Sequence, residues 1–251
     1  MKIILTIALF LFAPFLTAEE KKEYQQYESI LITPDYKNLS KLSDNMAKHN
    51  KKYHAKGAYQ ARVYNVVAGA DIGKLYWIMG PSTFAHLDQR PSNNAHTQDW
   101  ASNVMPYVTK LEHGEYWRFE EDMIIDNHKD WEKNPLTIWL IRYITVNPNQ
   151  GNKIKDLHKQ IKATIEKSGM AKFWGIMDNQ LIQGNENGRH LMGITGLKTW
   201  SEIDDDWQFE KHFEQLYGKG SMKIFTETYN EVFKNAWNEV QVLNKKMSGM
   251  E

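Results

Sequence analysis

Two stretches of the sequence carry the same punctuation. Gly69-Ala-Asp-Ile-Gly73 is followed by Lys74, and Gly184-Asn-Glu-Asn-Gly188 by Arg189, each turn lying between runs of extended character at 59–68 and 74–79, and at 171–182 and 189–195. Both read as β-hairpins. Beyond them, Phe84-Ala-His-Leu-Asp88 and Trp200-Ser-Glu-Ile-Asp204 share an aromatic residue, a branched apolar residue and an aspartate at the same offsets, one residue being inserted between. A pattern that recurs at matching places implies a duplicated unit.

The flanking segments fit. Residues 27–33 read as a strand. Thr33-Pro34-Asp35 reads as a helix start capped by the threonine, and Leu39, Leu42, Met46 and Tyr53 then recur near one helical face up to Gly57. A helix around Trp100 and a strand over 115–121 complete the first half. In the second, a strand over 136–146 precedes a helix carrying Ile154, Leu157, Ile161 and Ile165 and ending at Gly169; a helical region over 204–233, interrupted at 218–220, leads to a strand over 237–243. The order in each half is βαββαβ, the ferredoxin-like arrangement. Strand 136–146 is apolar on both sides, with Trp139, Ile141 and Tyr143 alternating with Ile138, Leu140 and Ile144, so both sheet faces need cover. Helices on one face and a second sheet on the other meet that need.

On this element order and hairpin-to-helix pattern, over residues 27–245, the chain resembles the dimeric α+β barrel superfamily. That group includes antibiotic-biosynthesis monooxygenases, haem-degrading enzymes, NIPSNAP-like proteins and chlorite dismutases. The resemblance implies an α+β fold of two tandem ferredoxin-like units packed sheet to sheet as an intrachain barrel. It places a pocket inside the barrel or between sheet and helices, without choosing a chemistry.

The N-terminus has the layout of a secretory signal: Lys2, an apolar run over 3–15, and a small residue at Ala18. The expected division is a signal over 1–18, a flexible charged segment over 19–26, units over 27–121 and 136–245 joined by a linker over 122–135, and a tail over 246–251. A mature chain of about 230 residues, cut from a sequence that is 41% hydrophobic, can bury a core without staples. The absence of cysteine removes disulfides, thiolate metal sites and cysteine nucleophiles. Thirty-one basic residues balance 31 acidic ones, which offers no electrostatic reason for nucleic-acid or membrane binding after cleavage. The expected protein is periplasmic or secreted, and a monomer with an internal pseudo-dimer.

No phosphate loop, HExxH motif or Gly-x-Ser-x-Gly elbow is present. His49 and His54 lie five apart, too far round a regular helix to chelate one metal, and with His96, His113 and His128 they read as solvated. His158 and His212 read as core-edge residues. Asn65, Trp77, Trp139, Arg142, Trp174 and His190 are the candidate ligand-binding residues, polar or flat aromatic groups within strands; Arg62, Arg118 and Asp178 are charges in similar settings. The expectation is a small-molecule site for an apolar or aromatic compound with no cofactor. A haem-binding barrel, its iron held by His190 or His86, is the alternative implied by the resemblance; a non-catalytic interaction protein is the third reading.

Overall fold

The computed structural model describes residues 24–90, 94–131, 133–181, 184 and 188–251. The signal expected over 1–18 lies outside the described residues, as does most of the charged segment after it. Its last residues are not loose: Gln26 is buried in β1, and the Arg118 guanidinium lies 3.7 Å over the Tyr24 ring.

Strand β1 (Gln26–Pro34) leads through a short turn into α1 (Leu39–Tyr53). The cap of that turn is Asp35, which accepts from the Lys37 N–H, and not Thr33, whose hydroxyl donates to Glu112 instead. The hairpin follows as β2 (Ala61–Ala68) and β3 (Leu75–Ser82). Short helices α2 (Phe84–Asp88) and α3 (Asn94–Asp99) then bring the chain to β4 (Val108–Asp126). The second half runs β5 (Ile138–Val146), α4 (Gly151–Ser168), β6 (Phe173–Asn179) and β7 (Leu191–Leu197). It ends with α5 (Phe209–Tyr217), α6 (Ser221–Val232) and β8 (Phe233–Leu243).

All eight strands form one closed antiparallel barrel in the order β1-β3-β2-β8-β5-β7-β6-β4. The halves therefore contribute β4-β1-β3-β2 and β8-β5-β7-β6, the same order twice, and their outer strands pair with each other. β4 was expected to span only 115–121. It is longer because its first part pairs with β1 and its last part with β6, with a register break between Phe119 and Ile124 where Glu120, Glu121 and Asp122 interrupt the apolar alternation.

The strand period of two sorts the aromatic residues. Leu31, Tyr76, Trp117, Ile141, Tyr143 and Met177 fill the interior. Outside, Trp77 and Met79 pack with Leu42 and Met46 of α1, while Ile144 and Trp174 belong to clusters with Leu157 and Ile165 of α4. Residues 246–251, expected to be a tail, fold back: Met247 is buried with the α1 cluster, and the Ser248 hydroxyl accepts from the Val63 N–H.

One hairpin glycine is fixed by close approach to the opposite half. Gly69 has φ +109°, and a Cβ there would meet the Asn238 carbonyl oxygen at 2.8 Å, on the strand that joins the two halves. Gly169 also has positive φ, +68°, ending α4, but faces open space. Urea unfolding should show Gly69→Ala costing roughly 2–4 kcal/mol and Gly169→Ala about 1 kcal/mol; equal costs would mean that the barrel does not close against this turn.

Candidate functional site

The barrel encloses a cavity of about 320 Å³, lined mainly by aromatic and apolar side chains from all eight strands. Tyr27, Tyr64, Trp139, Phe173, Met177 and Met192 are among them. Next to it, in the interior, is a buried charged network. Arg189, in the turn before β7, donates from Nε and Nη2 to the two Glu115 carboxylate oxygens at 2.7 and 2.8 Å. Its Nη2 also donates to the Tyr76 hydroxyl at 3.2 Å, and the guanidinium lies 3.7 Å over the Tyr143 ring. Trp117 Nε1 donates to Glu115, and Gln241 Nε2 to the Tyr143 hydroxyl.

Burial opposes the charge on Arg189, but Tyr143 and Glu115 around it hold its pKa above the usual value. Burial pushes the Tyr76 and Tyr143 phenols up. It also pushes the Glu239 carboxyl up to about 7, with the Asp71 carboxylate adding to the shift.

At the mouth, Trp131 stacks parallel to Trp139 with ring centroids 6.2 Å apart, and its Nε1 donates to Asp126. One polar group of the lining is uncommitted among the described residues. Trp139 Nε1 is buried without a partner. Burial pushes the Tyr64 phenol up to about 12 and the Tyr27 phenol higher still, so both keep their protons.

A second space of about 570 Å³ lies on the outer face of the second half, between β5, β6 and β7 and the helices. Arg142, His158, Trp174, Phe225 and Tyr229 line it. His158 is buried, its Nδ1 is 3.5 Å from Glu120, and among the described residues neither ring nitrogen has a hydrogen bond. Asp178 sits nearby, its carboxyl raised to about 6 by burial and by Glu120.

The predicted residues are thus divided among several places. Trp139 lines the interior cavity. Arg142, bonded through Nε to Asn238, and Trp174 line the outer cleft. Asn65 accepts from Asn244, and Trp77 lies under α1, donating to Asn50. His190 accepts from the Val146 N–H through Nδ1 and bonds the Gly184 carbonyl through Nε2, so both its ring nitrogens are engaged. His86 Nδ1 accepts the Thr83 N–H in a capping box.

The reading of His49 and His54 as solvated is overturned: they are 1% and 4% exposed. The five-residue spacing does not separate them, because α1 ends at Tyr53 and His54 leaves the helix with φ −130° and ψ 30°. Their rings, with that of His96, pack together.

Neither a family model nor a curated relative matches the sequence. Solved structures do match in fold. A monooxygenase-like protein from Fusobacterium nucleatum superposes with a TM-score of 0.59 at 11% identity, over 88% of this chain and 93% of that one. A heme-binding protein from Thermus thermophilus gives 0.52 at 11% identity, over 90% and 93%. Chlorite dismutase from Candidatus Nitrospira defluvii gives 0.54 at 6% identity, over 91% and 94%. The chain shares their α+β barrel fold.

The raised Glu239 carboxyl has a stability consequence. Its folded pKa exceeds the unfolded value of 4.5, so the native state binds the extra proton and stability falls as pH rises from about 4.5 through about 7, by on the order of 3 kcal/mol. Asp178 adds the same sign below about pH 6. Urea titrations across this range should show the decline, and Glu239→Gln should flatten its upper part; an unchanged slope in the variant would assign the effect elsewhere.

Proposed function

We propose that the interior cavity binds a small, flat, largely apolar molecule carrying at least one hydrogen-bond acceptor. The observation that carries this reading is Trp139, whose indole N–H is buried in the cavity wall without a partner among the described residues. A buried donor without an acceptor costs about 1–3 kcal/mol, which a ligand carbonyl or phenolic oxygen would recover. Tyr27 and Tyr64 offer further donors, and the aromatic walls suit a planar ring system. The volume is at the small end for ligand pockets. The Glu115–Arg189 pair is already satisfied internally, so it supports the wall and leaves the donors at the aromatic end to orient the ligand. Binding of this kind needs no nucleotide cofactor.

The repeated strand order, the two glycine turns and the two aromatic-to-aspartate segments support reading the barrel as two diverged ferredoxin-like units. In that reading closure within one chain makes a partner unnecessary, and the protein acts as an exported monomer. A secreted or periplasmic form lacking residues 1–18, with one-chain mass by light scattering, is expected; retention of those residues or an obligate dimer contradicts it.

Haem is the second reading, favoured by one observation: His158, with both ring nitrogens buried and without hydrogen bonds among the described residues, lines the roomy outer cleft. Bound there, haem would supply redox chemistry, with His158 as the residue able to hold it, Glu120 orienting the ring, and Arg142 within the same lining. Both ring nitrogens of His190 are engaged in hydrogen bonds, and His86 is engaged through Nδ1.

A binding assay separates the two readings. Quinones and polyphenols, with 1,4-naphthoquinone as the first probe, should quench tryptophan fluorescence and raise Tm. Met192→Trp, which fills the cavity, should abolish both effects. Trp139→Phe should weaken binding about 2- to 10-fold, the worth of one neutral hydrogen bond. No response to any probe contradicts the cavity reading. A Soret shift on haem titration that is lost in His158→Ala would favour the cleft instead.

A further inference from the structure

We propose that His49, His54 and His96 form a site for one divalent transition-metal cation on the outer face of the first half. The ligand nitrogens of the three side chains all lie within 4.8 Å of one another. His54 Nε2 and His96 Nε2 are 3.1 Å apart. Imidazoles bound 2.0–2.1 Å from a tetrahedral cation stand about 3.3 Å apart, so the His54–His96 pair already has the spacing of two ligands and the third nitrogen closes in from within 4.8 Å.

Hydrogen bonds at the opposite ring edges aim two of the rings inward. His49 Nδ1 is 2.7 Å from Asp99 Oδ2, and His54 Nδ1 is 2.8 Å from the Tyr59 carbonyl oxygen. Each of these contacts places the ring proton on Nδ1 and leaves an Nε2 lone pair for a ligand. Carboxylate and carbonyl partners on the far nitrogen are what orient metal-binding histidines.

A plain hydrogen-bonded histidine cluster would not account for His49. Its side chain is wholly buried, and its Nε2 has no hydrogen-bond partner among the described residues. A cation accepting that lone pair removes the cost of leaving it unsatisfied. The surroundings keep bulk water away from the two buried rings: Trp77 packs against His54 and Trp100 against His49, with ring centroids 5.0 and 5.1 Å apart. His96 is half-buried, which gives a route of entry.

The donor set decides the class of ion. Three imidazole nitrogens with neither thiolate nor a carboxylate ligand suit Zn²⁺, Co²⁺, Ni²⁺ or Cu²⁺, and do not suit Mg²⁺ or Ca²⁺. Three protein ligands also leave one position for water or a substrate atom, as in catalytic zinc sites. Trp77 of this site and Tyr76 of the interior network are neighbours on β3 and point to opposite faces of the sheet. The metal site is therefore independent of the interior cavity.

The test uses untagged protein stripped with a chelator and titrated with Zn²⁺ and Co²⁺. One equivalent per chain is expected, with a raised Tm and, for cobalt, the visible absorption of a low-coordinate site. His96→Ala should lower affinity at least 100-fold and Asp99→Asn 10- to 100-fold, whereas His113→Ala should bind as the wild type does. X-ray absorption of the zinc-loaded wild type should count three imidazoles, a reading that holds even if a variant fails to fold. No stoichiometric uptake, full affinity in His96→Ala, or fewer than three imidazoles would overturn the site.

Discussion

Closure of the sheet is the constraint on which the rest of the molecule depends. Each strand has a partner on both sides, because β2 pairs with β8 and β4 with β6. A closed sheet has no free edge to protect and divides its side chains into an inside and an outside. This explains why a strand such as β5 is apolar in both directions: Ile141 and Tyr143 point into the barrel, and Ile144 points toward the helices. It also explains the tight glycine at position 69, where the first hairpin turn must pass against β8.

The interior is not uniform, and its polarity follows from one ion pair. Arg189 and Glu115 are nearly inaccessible to solvent, and each would be costly alone; breaking such a buried pair by removing one partner typically costs 3–5 kcal/mol. Here the desolvation of both is offset by two parallel hydrogen bonds, a further bond to Tyr76 and the face of Tyr143. The network leaves the remaining aromatic space largely apolar. The corresponding basic residue of the first hairpin, Lys74, instead pairs with Asp71 and Glu112 in a partly exposed setting. The basic residues that follow the two glycine-flanked segments thus sit in different settings, one buried in the barrel interior and one partly exposed.

Much of this was legible in the sequence. The two hairpins, the helix ending at Gly169 and the two-sided strand at 138–146 stand where periodicity and glycine placed them, since these depend on local geometry. The full length of β4 is not legible, because Glu120, Glu121 and Asp122 resemble a linker unless the second partner strand is known. Period two shows that Trp77, Trp139 and Trp174 are on strands but not which face is interior, so they were grouped although only Trp139 reaches the cavity. Arg189 was visible as the basic residue after Gly188, yet its partner is 74 positions away. The histidine cluster needed the end of α1 and a segment 42 residues later to converge, which spacing along one helix cannot reveal.

The central claim is that the barrel interior is the binding site. Methyl NMR on methionine-labelled protein, with 1,4-naphthoquinone added, tests it directly. Met177 and Met192 line the cavity, while Met222 lines the outer cleft. Binding inside the barrel predicts saturable shifts and ligand contacts at Met177 and Met192 with Met222 unchanged. Shifts confined to Met222, or none at any of the three, would contradict it.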